Sequence, residues 1–359
     1  TDRVKTEDSA PETPNLYECL IIMDGDTVRQ NIGFREIKIA NSRLLVNGKI
    51  IYIKGVNRHE TNDSIGHVPT RDIMMHDIKL MKELNVNAVR CSHYPNDPLW
   101  LQLCDKYGIY LIDEANIETH GMGSVPYFQD TIPHPAYRAE WAPAHVDRIH
   151  RMFYRDRNHP SVIGWSLGNE CGNGKVFHDQ YLWLKQNDTT RFVQFEQAWE
   201  TWNTDVIALM YPNFDRMKAY AKSGKTRPFI MCEYAHSQGN GTGNLQDLWD
   251  VIKSAPNLQG GFIWDWEDQG IKRTINENTD HRTYYMYNGG MGSYIWTVEE
   301  NSGADGIIAS DGNPKPGGWE VKKVYQNIIF PKFNWQTGVL DIRNEYNFTA
   351  LNNFDFAWT

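Results

Sequence analysis

Two glutamates close apolar runs in this sequence, Glu170 at the end of "VIGWSLGNE" and Glu233 at the end of "PFIMCE". Two carboxyls that face each other across a bound sugar can cleave a glycosidic bond. At a separation of roughly 5 to 5.5 Å one attacks as nucleophile and the other works as acid and base; at roughly 6.5 to 9.5 Å a water fits between them and the anomeric centre inverts. The sequence does not measure that gap, so both outcomes stay open on the residues alone. A lone glutamate at a strand end is more often a salt-bridged structural carboxylate. A pair with Asn169 beside one member and aromatics nearby points to chemistry instead.

Other ionisable and aromatic residues end the neighbouring apolar runs. They are Asn57, Arg58, His59 and Glu60, then Arg90 and His93, then Asp113, Glu114, Asn116, Glu118 and His120. Later runs end in Glu196, Tyr211, Tyr234 with His236, and Trp264, Asp265 and Trp266. Charges buried without a partner or a use are strongly destabilising, so a ring of them at one end of a sheet reads as an active-site mouth. A single strand-end histidine is usually a hydrogen-bonded core residue, but His59, His93 and His236 around one mouth favour ligand contacts. Glu118 and His120 add to Glu170 two carboxylates and an imidazole, a set suited to a hard divalent cation that keeps several waters. Trp199 and Trp202 follow one strand end; they either pack a loop or form an aromatic wall for a leaving-side sugar.

These residues need a scaffold that gathers strand ends. Apolar runs of strand length occur at 50–57, 87–93, 109–116, 162–170, 192–197, 205–212, 228–234 and 260–267. Between most of them lie stretches such as "DIMMHDIKLMKEL" and "NLQDLWDVIKS", whose apolar residues recur three and four positions apart, as on one buried helix face. Strands alternating with helices in this number predict an α/β fold, a (β/α)8 TIM barrel with catalytic groups at the C-terminal strand ends. Outside it the patterning is short and alternating, with a hairpin signal at Asn47-Gly48. The expected organisation is the end of a β-sandwich over 1–48, the barrel over 49–318 and the start of a second sandwich over 319–359, both parts of all-β immunoglobulin-like domains. The second sandwich stops at Thr359 without enough strands to close, so the chain reads as the middle of a longer protein.

Composition narrows the partners. The formal net charge over 359 residues is -9, which disfavours nucleic acid because neutralising phosphates needs a basic face. No long uncharged apolar run predicts a membrane span. The 13 Trp and 18 Tyr supply flat apolar faces with polar edges, and with nucleic acid set aside a carbohydrate is the better partner. Five cysteines, widely spaced and without a Cys-x-x-Cys pair, read as small buried hydrophobes rather than a disulfide frame or zinc site. A chain that opens on Thr1 leaves the compartment, periplasmic or cytoplasmic, open.

The runs "KGVNRHE", "NAVRCSHYPN", "LIDEANIETHGM", "RDRNHPSVIGWSLGNE", "MCEYAHSQGN" and "GGFIWDWEDQG", in that order, closely resemble the β-galactosidases of glycoside hydrolase family 2. The resemblance covers roughly residues 15 to 330 and implies a retaining exo-β-galactosidase. By matching position it makes Glu170 the acid/base and Glu233 the nucleophile, with Tyr211 against the nucleophile and Arg90 neutralising and positioning it. It makes Asn169 a partner of the sugar 2-hydroxyl and brings His59, His93 and His236 to the sugar or its transition state, with Trp264 as a stacking floor. It also implies Mg²⁺ at Glu118, His120 and Glu170, tuning the acid/base. Relatives assemble through domains absent from this chain, so any homo-oligomer is expected to form through those.

Departures from the family pattern fall on its second ion. The sodium stretch usually reads Phe-Cys-x-Asn/Asp-Gly; Ser302-Gly303-Ala304-Asp305-Gly306 keeps only Asp305 and Gly306. Gly289-Gly290-Met291 stands where the family has Gly-Gly-Asp, and the loop "SYIWTVEEN" is unusual. Na⁺ and its contact with the sugar 6-hydroxyl are therefore not carried over by the resemblance. The expected substrate is a terminal β-galactosyl unit on an oligosaccharide of restricted type, such as an algal galactan, rather than lactose generally. A β-glucuronidase or β-mannosidase would share the fold and carboxylates, but "RCSHYPN" and "CEYAHSQGN" count against it. A non-catalytic carbohydrate-binding relative has no use for both Glu170 and Glu233. A metal-centred hydrolase built on His59, His93 and His120 lacks any His-x-x-x-His pairing.

Overall fold

The computed structural model describes residues 11–122, 134–275, 281–287 and 303–357. Strands β1 (Tyr17–Met23) and β2 (Asp26–Ile32) form an antiparallel hairpin, followed by a three-stranded sheet of β3 (Ile37–Ala40), β4 (Arg43–Val46) and β5 (Lys49–Ile50). Asn47 and Gly48 turn between β4 and β5 with φ of 48° and 73°, the left-handed pair that a two-residue hairpin loop requires.

The barrel follows. Strands β6 (Ile53–Arg58), β7 (Ala88–Cys91), β8 (Tyr110–Glu114), β9 (Val162–Ser166), β10 (Phe192–Gln194), β11 (Phe229–Tyr234) and β12 (Leu258–Ile263) run parallel in the order β10-β9-β8-β7-β6-β12-β11. The segment 205–210 lies in the opening between β10 and β11. Asp205 N–H donates to the Val193 carbonyl at 2.8 Å, and Ile207 and Met210 form isolated parallel bridges to Phe229 and Glu233. This irregular stave coincides with the apolar run "DVIALMYP".

Helices α1 (Arg71–Glu83), α2 (Pro98–Tyr107), α3 (Ala142–Asp156), α4 (Lys175–Asn187), α5 (Phe214–Ala221) and α6 (Leu245–Lys253) connect the staves, and α7 (Pro316–Val324) follows the last of them. The sequence sets their ends. In α2, Asp97 caps the start by accepting from Leu99 N–H, Pro98 occupies the first turn where no amide partner is needed, and Gly108 ends the helix at φ 73°. Only a three-residue 3₁₀ turn (Glu196–Ala198) follows β10, because the chain must return to the barrel at residue 205.

Inside, the barrel has two layers of opposite character. The lower layer is apolar and includes Ile53, Ala88, Tyr110, Ile112, Phe192, Ile230 and Phe262, joined from beneath by Leu44, Val46 and Ile51. The β3–β5 sheet thus packs as the barrel's floor and straddles the 48/49 division read from sequence. Buried Gln259 fixes it: its side-chain oxygen accepts from Leu44 N–H at 2.6 Å, and its amide donates to the Leu44 and Ile51 carbonyls. Above this floor the interior turns polar.

Beyond the barrel, β13 (Ile271–Thr274) pairs with β14 (Thr283–Met286), and β15 (Ile328–Asn334) pairs with β16 (Val339–Asn344), each antiparallel. Of the ranges expected from sequence to belong to flanking sandwiches, 1–48 contains the β1–β2 hairpin and 319–359 the β15–β16 hairpin, whereas β13–β14 falls within the range expected for the barrel. All five cysteines are free, and four are buried. The stretches 289–291 and 293–302, where the sequence departs from the family pattern, lie outside the described residues.

Candidate active site

Arg90 is the centre of the polar layer and is fully buried. Parallel register sets it beside Asn57 on β6. Its guanidinium donates to both oxygens of Glu114, at 2.7 and 3.0 Å. The remaining donors reach Asn57 Oδ1 at 3.0 Å, Glu233 Oε1 at 3.0 Å and Asn169 Oδ1 at 2.7 Å. A planar fork with five N–H groups is the one side chain that can satisfy this many acceptors from one point. Glu114 in turn pairs with His93 Nδ1 at 2.8 Å and accepts from Ser166 Oγ at 2.6 Å. Burial by itself would raise the Glu114 carboxyl; the Arg90 charge and the hydrogen bonds outweigh it and bring it down to about 2.

Glu233 is the penultimate residue of β11, with 5% of its surface exposed. One oxygen is held by Arg90 and the other accepts the Tyr211 hydroxyl at 2.8 Å. Burial, then the adjacent Glu233 charge and this hydrogen bond, push the Tyr211 hydroxyl upward, so it stays a donor.

Glu170 follows β9 with a left-handed φ of 39° and is half-buried. Burial raises its carboxyl; His120 opposes the shift and Glu233 adds to it. Its backbone N–H donates to Glu196 Oε1 at 2.7 Å, and its carbonyl accepts from the Thr119 hydroxyl at 3.3 Å. Glu170 and Glu233 line one cavity of about 760 Å³, inside the roughly 300–1,000 Å³ usual for small-molecule sites. His59, His93, Asn169, Tyr211, His236 and Trp264 share its walls.

The histidines stand around Trp264. The His93 ring lies parallel to the indole at 8° and 5.1 Å between centroids, and His59 meets it edge-on at 5.6 Å. Burial drives the His59 imidazole well below its usual range, with His93 and His67 adding to the effect, so it is neutral at pH 7. Trp264 Nε1 donates to Asp305 Oδ2 at 2.8 Å, and His236 Nε2 lies 3.6 Å from the same oxygen.

Glu118, His120 and Glu170 each offer a ligand atom, and these atoms lie within 4.8 Å of one another. That donor set, two carboxylates and an imidazole, fits a divalent cation. Among the described residues no other group gathers so closely, and His59 and His93 are not part of it. Asn169 bridges this group to the polar layer, donating to Glu118 Oε2 at 2.8 Å while accepting from Arg90. Of the sodium stretch, Asp305 has one buried oxygen without a hydrogen-bond partner.

Some expected site residues are not brought to the cavity. Trp199 and Trp202 are 44% and 53% exposed and are absent from its walls, and Trp202 packs on His178 and Tyr181 instead. Several strand-end charges also turn away, since successive side chains on a strand point to opposite faces. Arg58 pairs with Asp77 at 2.8 Å and covers the Trp100 ring, fastening β6 to α1 and α2. Conversely Glu114, Asn57 and Glu196 carry the site without any role having been assigned from sequence. Their position at strand ends beside Arg90 and Glu170 was the available signal.

A family model described as "Glycosyl hydrolases family 2, TIM barrel domain" matches residues 37–330. Proteins named β-galactosidase from Priestia megaterium and Pseudoalteromonas haloplanktis are 39% and 40% identical over 97% of the chain. The chain spans 34% and 35% of their own lengths, about a third. Among solved structures, a β-glucuronidase of Ruminococcus gnavus matches with a TM-score of 0.70 at 21% identity, covering 89% of this chain and 59% of that one. A β-galacturonidase of Eisenbergiella tayi matches at 0.68 and 23%, with the same coverage of 89% and 59%. At such identity these two show the shared barrel and nothing of the substrate. Among the described residues, no helix is long and apolar enough to cross a membrane. With the barrel strands, the paired glutamates and the family model all falling on the same residues, the chain belongs to glycoside hydrolase family 2.

Proposed function

We propose that this barrel is the catalytic domain of a retaining exo-β-galactosidase that releases terminal β-D-galactosyl residues from oligosaccharides. The observation that carries the reading is Glu233, fixed by Arg90 and Tyr211 on the same cavity wall system as Glu170, whose carboxyl is shifted upward. In the first step a Glu233 oxygen bonds to the anomeric carbon as the glycosidic C–O bond breaks, and the Glu170 proton passes to the leaving oxygen. In the second, Glu170 takes a proton from water, whose oxygen bonds to the anomeric carbon while the bond to Glu233 breaks. Neutral His59 can both donate to and accept from sugar hydroxyls.

Glu118, His120 and Glu170 would hold Mg²⁺, and when bound it would supply a positive charge beside the acid/base carboxyl. A role for Na⁺ rests on Asp305 alone and enters no step. Galactose is favoured over glucuronic acid by the names of the relatives at 39–40% identity. The expectation of a restricted, algal-type galactan rests on Trp199 and Trp202; with both off the cavity, the reading stops at the terminal galactosyl unit.

The test is a panel of aryl β-galactoside, β-glucuronide and β-mannoside, with the first-formed anomer followed by proton NMR. The galactoside should be cleaved preferentially with β-galactose appearing first, and Glu233→Gln should lose at least about 10³-fold in kcat. Initial α-galactose, or full activity in Glu233→Gln, would refute the mechanism.

A further inference from the structure

We propose that Glu196, which opens the 3₁₀ turn after β10 and meets Glu170 through its backbone N–H, is a positioning residue that aims the acid/base carboxyl of Glu170. The inference rests on the reading of Glu170 as acid/base.

Three observations carry it. First, Glu170 sits at φ 39°, a left-handed conformation that a residue with a side chain adopts only when its surroundings hold it there. Its direction of aim is therefore set from outside the residue. Second, what holds it is mostly side chains. Glu196 Oε1 accepts from the Glu170 N–H at 2.7 Å, and the Thr119 hydroxyl donates to the Glu170 carbonyl at 3.3 Å. The chain on either side is also confined: Gly168 stands at φ 142°, where an added Cβ would lie 2.8 Å from the Ile117 carbonyl oxygen. Third, Glu196 is itself immobilised and only 4% exposed. Gln197 Nε2 donates to its other oxygen at 2.9 Å, and the short 3₁₀ turn Glu196–Ala198 fixes its backbone.

A buried carboxyl with one oxygen on an amide and one on a neighbouring side chain is a rigid strut. It links the turn after β10 to the residue that must point at the glycosidic oxygen. A small error in aim costs proton transfer far more than binding, because transfer needs a hydrogen-bond distance to the leaving oxygen.

The discriminating measurement is the dependence of kcat/KM on leaving-group acidity, from 2,4-dinitrophenyl β-galactoside, which needs no protonation, to lactose, which does. Wild type, Glu170→Ala, Glu196→Ala, Glu196→Asp and Glu196→Gln are compared, with melting temperatures confirming folding. Glu196→Ala should lose 10- to 100-fold on lactose and less than threefold on the dinitrophenyl substrate, mirroring Glu170→Ala in direction. Azide should raise its dinitrophenyl kcat and yield β-galactosyl azide, a signature that a merely loosened fold does not give. Glu196→Gln, which keeps the reach and an acceptor oxygen, should recover most of the lactose activity. Glu196→Asp, one methylene short, should behave like Ala and serves in its place if Ala does not fold. Equal losses on both substrates, or Asp active where Gln is not, would overturn the proposal. If Glu170→Ala itself shows no leaving-group dependence, the acid/base reading falls first, and that result is distinct from an unaffected Glu196 series beside a dependent Glu170→Ala.

Discussion

Arg58 and Arg90 are the same residue type at the ends of adjacent strands, both with no exposed surface, and they do different work. Arg58 faces the helices and meets Asp77, whereas Arg90 faces the axis and meets Glu114, Glu233 and Asn169. The sequence showed that charges collect at strand ends and singled out Glu170 and Glu233 as the expected catalytic pair. It did not show which of two neighbouring charges turns inward, because that depends on register between strands. Glu114 gives this distinction a measurable consequence. Its folded carboxyl, about 2, lies below the value of roughly 4.3 for a free glutamate, so it favours folding at neutral pH. That contribution is complete above the unfolded value and is lost as pH falls toward the folded one. Urea stability should therefore decline from about pH 5 downward by an amount on the order of a few kcal/mol, and Glu114→Gln should flatten the decline. An equally steep acid limb in Glu114→Gln would assign the effect to other carboxyls.

Elements were legible where the periodicity was long. The helical stretches at 72–84 and 244–254 fall on α1 and α6, and the apolar runs fall on the staves. What could not be read was local pairing: β10 has three residues, and the stave at 205–210 holds by isolated bridges. Whether Trp199 and Trp202 pack a loop or wall the site stayed open for the same reason, since the loop between those two staves has no periodicity to orient it. Strand glycines show how tightly the staves are matched. A Cβ on Gly55 would lie 2.4 Å from the Phe262 ring and 2.9 Å from the Gly261 carbonyl oxygen, both in the neighbouring stave β12. Overpacking of this kind costs typically about 1–3 kcal/mol. Gly55→Ala should lower the denaturation midpoint accordingly, in a urea titration followed by tryptophan fluorescence. An unchanged midpoint would show that β6 and β12 can separate at no cost, contrary to a closed barrel.

At the scale of the molecule, the apolar floor and the polar rim divide stability from chemistry along one axis. The floor is sealed from beneath by β3–β5, whose edge is tied to the barrel through Gln259. The rim holds every group proposed for bond cleavage, and buried Arg90 ties Glu114, Asn169 and Glu233 together within it. This division predicts that damage to the floor reaches stability without reaching the reaction. Gln259→Leu keeps similar bulk but strands the Leu44 N–H and the Ile51 carbonyl in a buried place and leaves the Leu44 carbonyl only its bond from Ile51 N–H, at a cost on the order of 3 kcal/mol. It should lower the melting temperature while leaving kcat and KM at 25 °C within about twofold of wild type, because the rim register set by Asn57, Arg90 and Glu114 is untouched. A variant that stays folded yet loses kcat would mean that the floor sets the register of the rim, and the two layers would have to be treated as one cooperative unit.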